Sequence, residues 1–228
     1  MRAILTLGLM LAVVMLTSCS TKPGAPSGPR FVKPPLETSA TNSFRPAQIN
    51  NLVVYPLQSD PVAGVGRDTL SEMTHQLVDS IQTGTDIEVL NFTMPDPVQQ
   101  ALSHASTKPI ALQSQALEAA KELKSRAALY GVVSRYQTSD GSALGASRPA
   151  AVAFQVWLVD TTTGAVVWTG NFLRNEEPLS ENLFGIKDRF RDGFGYKDAA
   201  ALAKSGFNDV AAELERERRT AEQGNPQG

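Results

Sequence analysis

The fold is decided by the stretch Val152-Ala153-Phe154-Gln155-Val156-Trp157-Leu158-Val159-Asp160. Every second residue from Val152 to Leu158 is apolar, and alternate side chains of a β-strand point to the same face. We therefore predict a strand with one face against a hydrophobic core. Residues 161–164 end in a glycine and predict a turn, after which the apolar run 165–172 returns beside the first strand. The pattern indicates an antiparallel hairpin.

Further strands and helices are predicted on both sides of this hairpin. Runs of β-branched and aromatic residues predict strands at 51–57, 87–92 and 128–136. Apolar residues at helical spacing predict helices at 67–84, 96–102, 112–125 and 198–215. Gly206 in the last helix indicates a close contact of that helix. The order of elements predicts a single α/β (α+β) domain, with a mixed, mostly antiparallel sheet of about five strands flanked by helices.

The amino terminus has the pattern of a secretory signal. Met1-Arg2 is a short basic start, and an apolar run follows from Ile4 to Leu16. As a helix this run is about 20 Å long, whereas the hydrocarbon core of a bilayer is roughly 30 Å thick. A permanent transmembrane helix is therefore disfavoured at this position.

The apolar run ends in Leu16-Thr17-Ser18-Cys19, which resembles the lipobox that bacterial lipoprotein signal peptidase recognises. The resemblance implies that residues 1–18 are a signal peptide and that Cys19, the single cysteine of the chain, is lipidated. Several acyl chains, at about 0.8 kcal/mol per buried methylene, anchor a protein stably to a membrane. Ser20 follows the cysteine, which implies the periplasmic side of the outer membrane, with the inner membrane as the alternative. The other interpretation is an ordinary signal peptide that contains a cysteine.

Composition divides the rest of the chain into three parts. Residues 19–48 are rich in Pro, Gly, Ser and Thr and lack an apolar period, so we predict a disordered, flexible tether. Residues 49–215 contain the predicted strands and helices and form the globular domain. Residues 216–228 begin with charged residues and continue into Gly, Asn and Pro, which predicts a disordered tail.

Composition and motifs disfavour several classes of function. The net charge is −2, whereas a protein that neutralises phosphates is usually basic, so nucleic acid is disfavoured as a partner. One cysteine and two distant histidines, His75 and His104, make a poor metal site. The sequence has no phosphate loop, dinucleotide-binding motif or nucleophile elbow. We therefore expect no cofactor, no metal and no catalytic residue, and a binding protein rather than an enzyme.

Two stretches are candidates for partner binding. Residues 140–149 form a loop of small residues in which Arg148 is a candidate anchor; the alternative is a plain connection between two strands. Phe190, Phe194 and Tyr196 lie among charged residues and are a candidate aromatic contact patch. The alternative for these rings is that they pack under the last helix.

Residues 127–168 carry a resemblance to a known family. The strand Leu129-Tyr130-Gly131-Val132-Val133 is followed by a loop with Arg148-Pro149, by Leu158-Val159-Asp160, and by Gly164-Ala165-Val166-Val167-Trp168. With the lipobox and the tether, these residues resemble outer-membrane lipoproteins related to LpoB, an activator of peptidoglycan synthase. The amino-terminal domain of TolB and the lipoprotein CsgG have related folds.

This resemblance implies a function in the cell envelope. The periplasmic domain would bind a partner protein, a peptidoglycan synthase being one candidate, and would assemble or regulate cell-envelope machinery. The alternatives are a periplasm-facing hydrolase and an auxiliary lipoprotein of a transport or secretion system.

The variant Cys19→Ala lacks the thiol to which the lipid would be attached. We expect the variant to be soluble or to accumulate as an unprocessed precursor, because the acyl chains supply the membrane affinity. Membrane fractionation together with the intact mass of the purified chain measures this. A variant that is processed normally and remains in the membrane would contradict the lipobox interpretation.

Overall fold

The structure, a computed structural model, describes residues 35–41, 44–90, 109–142, 145–175 and 198–223, all within the unit Pro34–Gly228. The strands among these residues are β1 (Leu36–Ala40), β2 (Asn51–Val54), β3 (Gln58–Ser59), β4 (Glu88–Leu90), β5 (Ala127–Gln137), β6 (Asp140–Ser142), β7 (Gly145–Arg148), β8 (Ala151–Asp160) and β9 (Val166–Asn175). The helices are α1 (Arg67–Gly84), α2 (Pro109–Glu122) and α3 (Ala199–Gln223), with one 3-10 turn at Pro46–Gln48.

Seven of the strands form one mixed sheet. Their order is β1-β9-β8-β5-β2-β4, with β3 also paired to β5. The pairs β1–β9, β9–β8 and β8–β5 are antiparallel. β2 pairs in parallel with β4 and β5, and β3 pairs in parallel with β5. The strands β6 and β7 form a separate antiparallel hairpin. The predicted fold class is confirmed, with more strands than the sequence indicates.

The predicted hairpin is formed by β8 and β9. Residues 152, 154, 156 and 158 are all buried on one face of the sheet, as their alternation predicts. The turn between the strands places Gly164 at a φ of +70°, which glycine adopts without steric cost. The carboxylate of Asp160 accepts hydrogen bonds from the backbone N–H groups of Thr162 and Thr163, at 2.7 and 3.1 Å.

Helices cover both faces of the sheet. On one face, α1 and α3 pack over the strands, and α1 buries Met73, Leu77 and Ile81, which are one turn apart. On the other face, α2 packs on β2 and β5 and forms a second, smaller core with Leu112 and Tyr130. A sheet between two helical layers is a common way to bury both of its faces.

Two helix predictions need adjustment. The helix predicted at 112–125 begins at Pro109 and ends at Glu122, because Lys124 has a left-handed φ of 54° that no longer continues the helix. The short helix predicted at 96–102 lies outside the described residues.

The predicted boundary between tether and domain is wrong. Residues 19–48 were expected to be disordered, but β1 is an edge strand of the sheet and Phe44 is buried in the core. The backbone explains this difference. The N–H of Thr41 donates to Val167 and the N–H of Leu173 donates to Pro35, both at 2.9 Å. Such ladder bonds require no apolar alternation, so the composition of this segment did not indicate a strand.

The predicted end of the last helix is also wrong. The sequence predicts an end near Glu215 and a disordered tail from 216, but α3 continues to Gln223. The carboxylate of Glu215 accepts hydrogen bonds from Nε of Arg218 at 3.0 Å and Nε of Arg219 at 2.7 Å. Arg218 also donates to Asp86, outside the helix, at 2.7 Å. These ion pairs hold the charged turns of α3 against the domain.

Gly206 marks a close contact of α3, as the sequence predicts, and its partner is the sheet. A Cβ at this position would lie 2.8 Å from Cε1 of Phe154 and 2.9 Å from Cδ1 of Phe172. The rings of Phe154 and Phe172 stack with their centroids 4.9 Å apart, so neither can easily move aside.

Gly206→Ala tests this contact. Alanine favours a helix by about 1 kcal/mol over glycine, but here its methyl group collides with packed rings, a strain that typically costs 1–3 kcal/mol. We expect a net loss in the free energy of unfolding, measured by denaturant titration. The control is Gly66→Ala, because no atom lies within 4 Å of a Cβ at Gly66. Equal stability of the Gly206→Ala variant and the wild type would contradict the contact.

Glu215 predicts a pH-dependent contribution to stability. Hydrogen bonds from Arg218 and Arg219 lower the pKa of the Glu215 carboxyl from 4.5 to about 2, and this side chain is only 6% exposed. The carboxylate therefore stabilises the fold above pH 4.5, and its contribution is lost as the pH falls from 4.5 towards 2.

The variant Glu215→Gln measures this contribution. We expect it to lower the free energy of unfolding at neutral pH by about 2 kcal/mol, the usual worth of hydrogen bonds to a charged group. The difference from wild type should narrow as the pH is lowered through the range given above. The exposed Glu122, changed to Gln, is the matched control. A difference that stays constant with pH would contradict the ion-pair explanation.

Candidate functional site

The sheet face that carries α2 is only partly covered by the described helices. α2 packs on β2 and β5 and reaches β8 through Val159 and Trp157, but no described helix packs over the outer side of β9 and β1. The residues on this remaining area, here called the open sheet face, alternate with the buried residues of β8, β9 and β1. They are Glu37, Ser39, Gln155, Trp157, Thr169, Asn171 and Leu173.

Two large apolar side chains stand out on the open sheet face. Leu173 is 58% exposed, and its backbone N–H donates a hydrogen bond to the carbonyl of Pro35. Trp157 lies at the border with the core under α2: it is half-buried and stacks on Tyr130, with ring centroids 5.2 Å apart. The other residues of this face are polar, and Glu37 and Asn171 are exposed at adjacent register positions. Aromatic and apolar residues surrounded by a polar rim are typical of protein–protein interfaces.

The sheet register defines two ends of the domain. Leu36, Gln137, Ala151 and Asn175 lie at one end, here called the Leu36 end. The opposite end, here called the Arg126 end, contains the beginning of β5 and the turn after Asp160.

Arg148 lies at the Leu36 end, on the β6–β7 hairpin. The sequence predicts a loop at 140–149, but Asp140 and Arg148 pair across two short strands. The side-chain amide of Gln137 donates to the carbonyl of Pro149 at 2.8 Å and fixes the base of the hairpin. Arg148 is exposed, at the same end of the sheet as Leu173. Its assignment as a partner-binding residue stays a prediction.

The other sequence-predicted site residues lie outside the described residues. These are Leu16, Thr17, Ser18 and Cys19 of the lipobox, and Phe190, Phe194 and Tyr196 of the aromatic patch. The patch belongs to the segment that leaves β9 after Asn175 and returns at Asp198. Burial raises the pKa of the Tyr136 hydroxyl, and the charges of Asp198 and Glu72 raise it further. Asp198 therefore lies near Tyr136. Both ends of the segment are therefore at the Leu36 end.

The tyrosines under α2 are structural. Burial, followed by the charge of Glu118, raises the pKa of Tyr55 to about 12, and burial raises the pKa of Tyr130 to about 12 as well. The hydroxyl of Tyr55 donates to the side-chain oxygen of Gln115 at 3.2 Å. Both phenols are therefore protonated at neutral pH and act as packing groups.

The part of the chain that the structure describes has no cluster of side chains suited to binding a metal ion. There, no group of three or more His, Cys, Asp or Glu side chains could hold a metal ion. His75 is exposed on α1, as its position opposite the apolar residues predicts. Among the described helices, none combines the length and the apolar character needed to cross a bilayer.

The open sheet face was not identified from the sequence. The alternation along β8 and β9 contained evidence for this face. Trp157 and Leu173 have odd residue numbers, whereas the core residues Phe154 and Phe172 have even ones. A large apolar residue at a solvent-facing strand position, as Leu173 is, is the kind of exception that marks a contact surface.

Comparison with known proteins gives likenesses in structure. No family model and no curated protein matches this chain. A subunit of the PelC dodecamer from Paraburkholderia phytofirmans is similar over 79% of this chain and 96% of its own, with 16% identity and a TM-score of 0.50. This likeness concerns the fold.

Lipoproteins are among the other matches. The LpoB carboxy-terminal domain from Escherichia coli matches 56% of this chain and 84% of its own, with 16% identity and a TM-score of 0.38. A lipoprotein from Neisseria meningitidis matches 63% of this chain and 99% of its own, with 14% identity and a TM-score of 0.37.

Proposed function

We propose that this chain is a lipid-anchored envelope protein that acts by binding proteins, and so assembles or regulates cell-envelope machinery. The observation that carries the proposal is the open sheet face, with Leu173 exposed and Trp157 half-buried among polar residues. Exposed apolar area of this kind costs free energy in water and recovers it when another protein covers it.

A second copy of the chain is the occupant that we propose for this face. The PelC subunit, which shares this fold over nearly its whole length, is described as part of a dodecamer. That description supports self-assembly as something this fold permits. A lipid anchor on Cys19 would favour it further, because anchored copies are confined to a surface and their effective concentration rises.

The assembled domains would then dock on an envelope protein. The sequence resemblance to LpoB-related lipoproteins implies a peptidoglycan synthase as that partner, at the periplasmic side of the outer membrane. Arg148 and the segment with Phe190, Phe194 and Tyr196 are the candidate contacts for this second interaction, which is separate from the open sheet face. Cross-linking in intact cells, followed by mass spectrometry of the captured proteins, tests it. Failure to recover any envelope protein reproducibly would contradict it.

Leu173→Lys tests the proposed self-association. A charge at the centre of a contact must lose its hydration without gaining a partner, so we expect the dissociation constant to rise at least about ten-fold. Light scattering of the full chain in detergent, over a range of concentrations, measures the subunit number. The wild type should form a defined oligomer, and the variant should shift towards the monomer.

Val62→Lys is the matched control, because Val62 is 96% exposed on a turn away from the sheet. This control should assemble like the wild type, and both variants should keep the wild-type circular dichroism spectrum. A monomeric wild type at high concentration would overturn the proposal. An equal effect of the two substitutions would also overturn it, since the open sheet face would then have no special role.

A further inference from the structure

A polar cleft lies at the Arg126 end of the domain, away from the residues that the proposed function uses. It has a volume of about 450 Å³ and lies between the end of α2, the start of β2 and the turn after β8. The cleft is shallow and largely open to solvent, and its lining comes from three elements.

Three cationic side chains line this cleft, namely Lys121, Lys124 and Arg126. Arg126 is held in place: it donates to the hydroxyl of Thr162 at 2.7 Å and to the side-chain oxygen of Gln48 at 3.3 Å. Its guanidinium also lies 3.7 Å from the carboxylate of Asp160. Lys121 and Lys124 are exposed, and neither has an ion pair within the described residues. The cleft therefore has an excess of positive charge.

Lys124 occupies a backbone position that normally suits glycine. The N–H of Ser125 donates to the carbonyl of Ala120 at 2.8 Å, which closes the end of α2 while Lys124 takes a φ of 54°. In this type of helix ending, a residue with a Cβ is strained and glycine is preferred. Lys124 nevertheless lines the cleft, at the same helix end as Lys121.

The polar groups around the cations suit an oxyanion. The side-chain oxygen of Asn51 accepts the N–H of Arg126 at 2.7 Å, which fixes the amide of Asn51 at the cleft wall. Carboxylates and phosphates bind where ammonium and guanidinium groups converge with amide and hydroxyl groups. The side chains here combine all four.

We propose that this cleft binds a ligand carrying carboxylate or phosphate groups, held by Lys121, Lys124 and Arg126. Three cations along one lining favour a ligand with more than one oxyanion over a single ion. Binding weakens with added salt, because the lysines are exposed and their charges are screened.

The decisive variant is Lys124→Gly, because we expect it to raise the stability of the fold and to weaken ligand binding. Glycine relieves the strained backbone, so the melting temperature rises by a few degrees. Loss of the ammonium group weakens binding at least five-fold. A variant that is more stable and binds less cannot have lost binding through misfolding. Lys204→Gln is the matched control, since Lys204 is exposed on α3 outside the cleft.

The measurement is calorimetric titration of the full chain in detergent, at low salt, with pyrophosphate and with citrate as separate probes. Binding of either probe that Lys124→Gly weakens and Lys204→Gln leaves unchanged supports the proposal, and the tighter probe identifies the preferred oxyanion. Absence of binding by the wild type to both probes overturns it. Equal weakening by the two variants also overturns it, since the attraction would then be non-specific. Leu173→Lys should bind both probes like the wild type, so failure of self-assembly leaves this test intact.

Discussion

The structure depends on the packing of Phe154 at the centre of β8. Its ring stacks on Phe172 of β9 at 4.9 Å and packs against Phe207 of α3 at 4.7 Å. These contacts require α3 to approach the sheet so closely that only glycine fits at position 206. One aromatic cluster therefore fixes both the register of β8 with β9 and the distance of the longest described helix. Interdigitated rings of this kind allow little adjustment, which makes the arrangement specific as well as stable.

The same constraint determines the candidate interaction surface. Because side chains alternate along a strand, placing Phe154 and Phe172 inward places Trp157 and Leu173 outward. A shift of one residue in register would bury Leu173 and expose Phe172, at a large cost in buried apolar area. The open sheet face is thus set by the core on the other side of the sheet. Its backbone is paired within the sheet on β8 and β9, so association does not have to order a loop.

The sequence predicted those parts of the fold whose residues carry their own pattern. The alternation from Val152 to Leu158, the turn at Gly164 and the apolar stripe of α1 all predicted what the structure contains. β1 and the last turns of α3 were missed because contacts distant in sequence stabilise them. β1 is held by backbone pairing with β9 and by a hydrogen bond from Thr38 to Glu213 of α3. Arg218 of α3 pairs with Asp86, which lies in another part of the fold. The cations Lys121, Lys124 and Arg126 are close in sequence, but the other side of their cleft comes from the distant residues Asn51 and Thr162.

Leu173 and Lys124 share a property that links the two proposed surfaces. Each occupies a position where folding alone would favour another residue: a polar side chain on an exposed strand face, and glycine at a left-handed helix end. Sequences that specify one fold usually agree with such local preferences, and the exceptions concentrate where function imposes another requirement. The two exceptions lie on different elements and differ in chemistry, one apolar and one cationic. Covering an apolar face and neutralising a charged cleft are separate demands, so the two proposed surfaces require ligands of different chemistry.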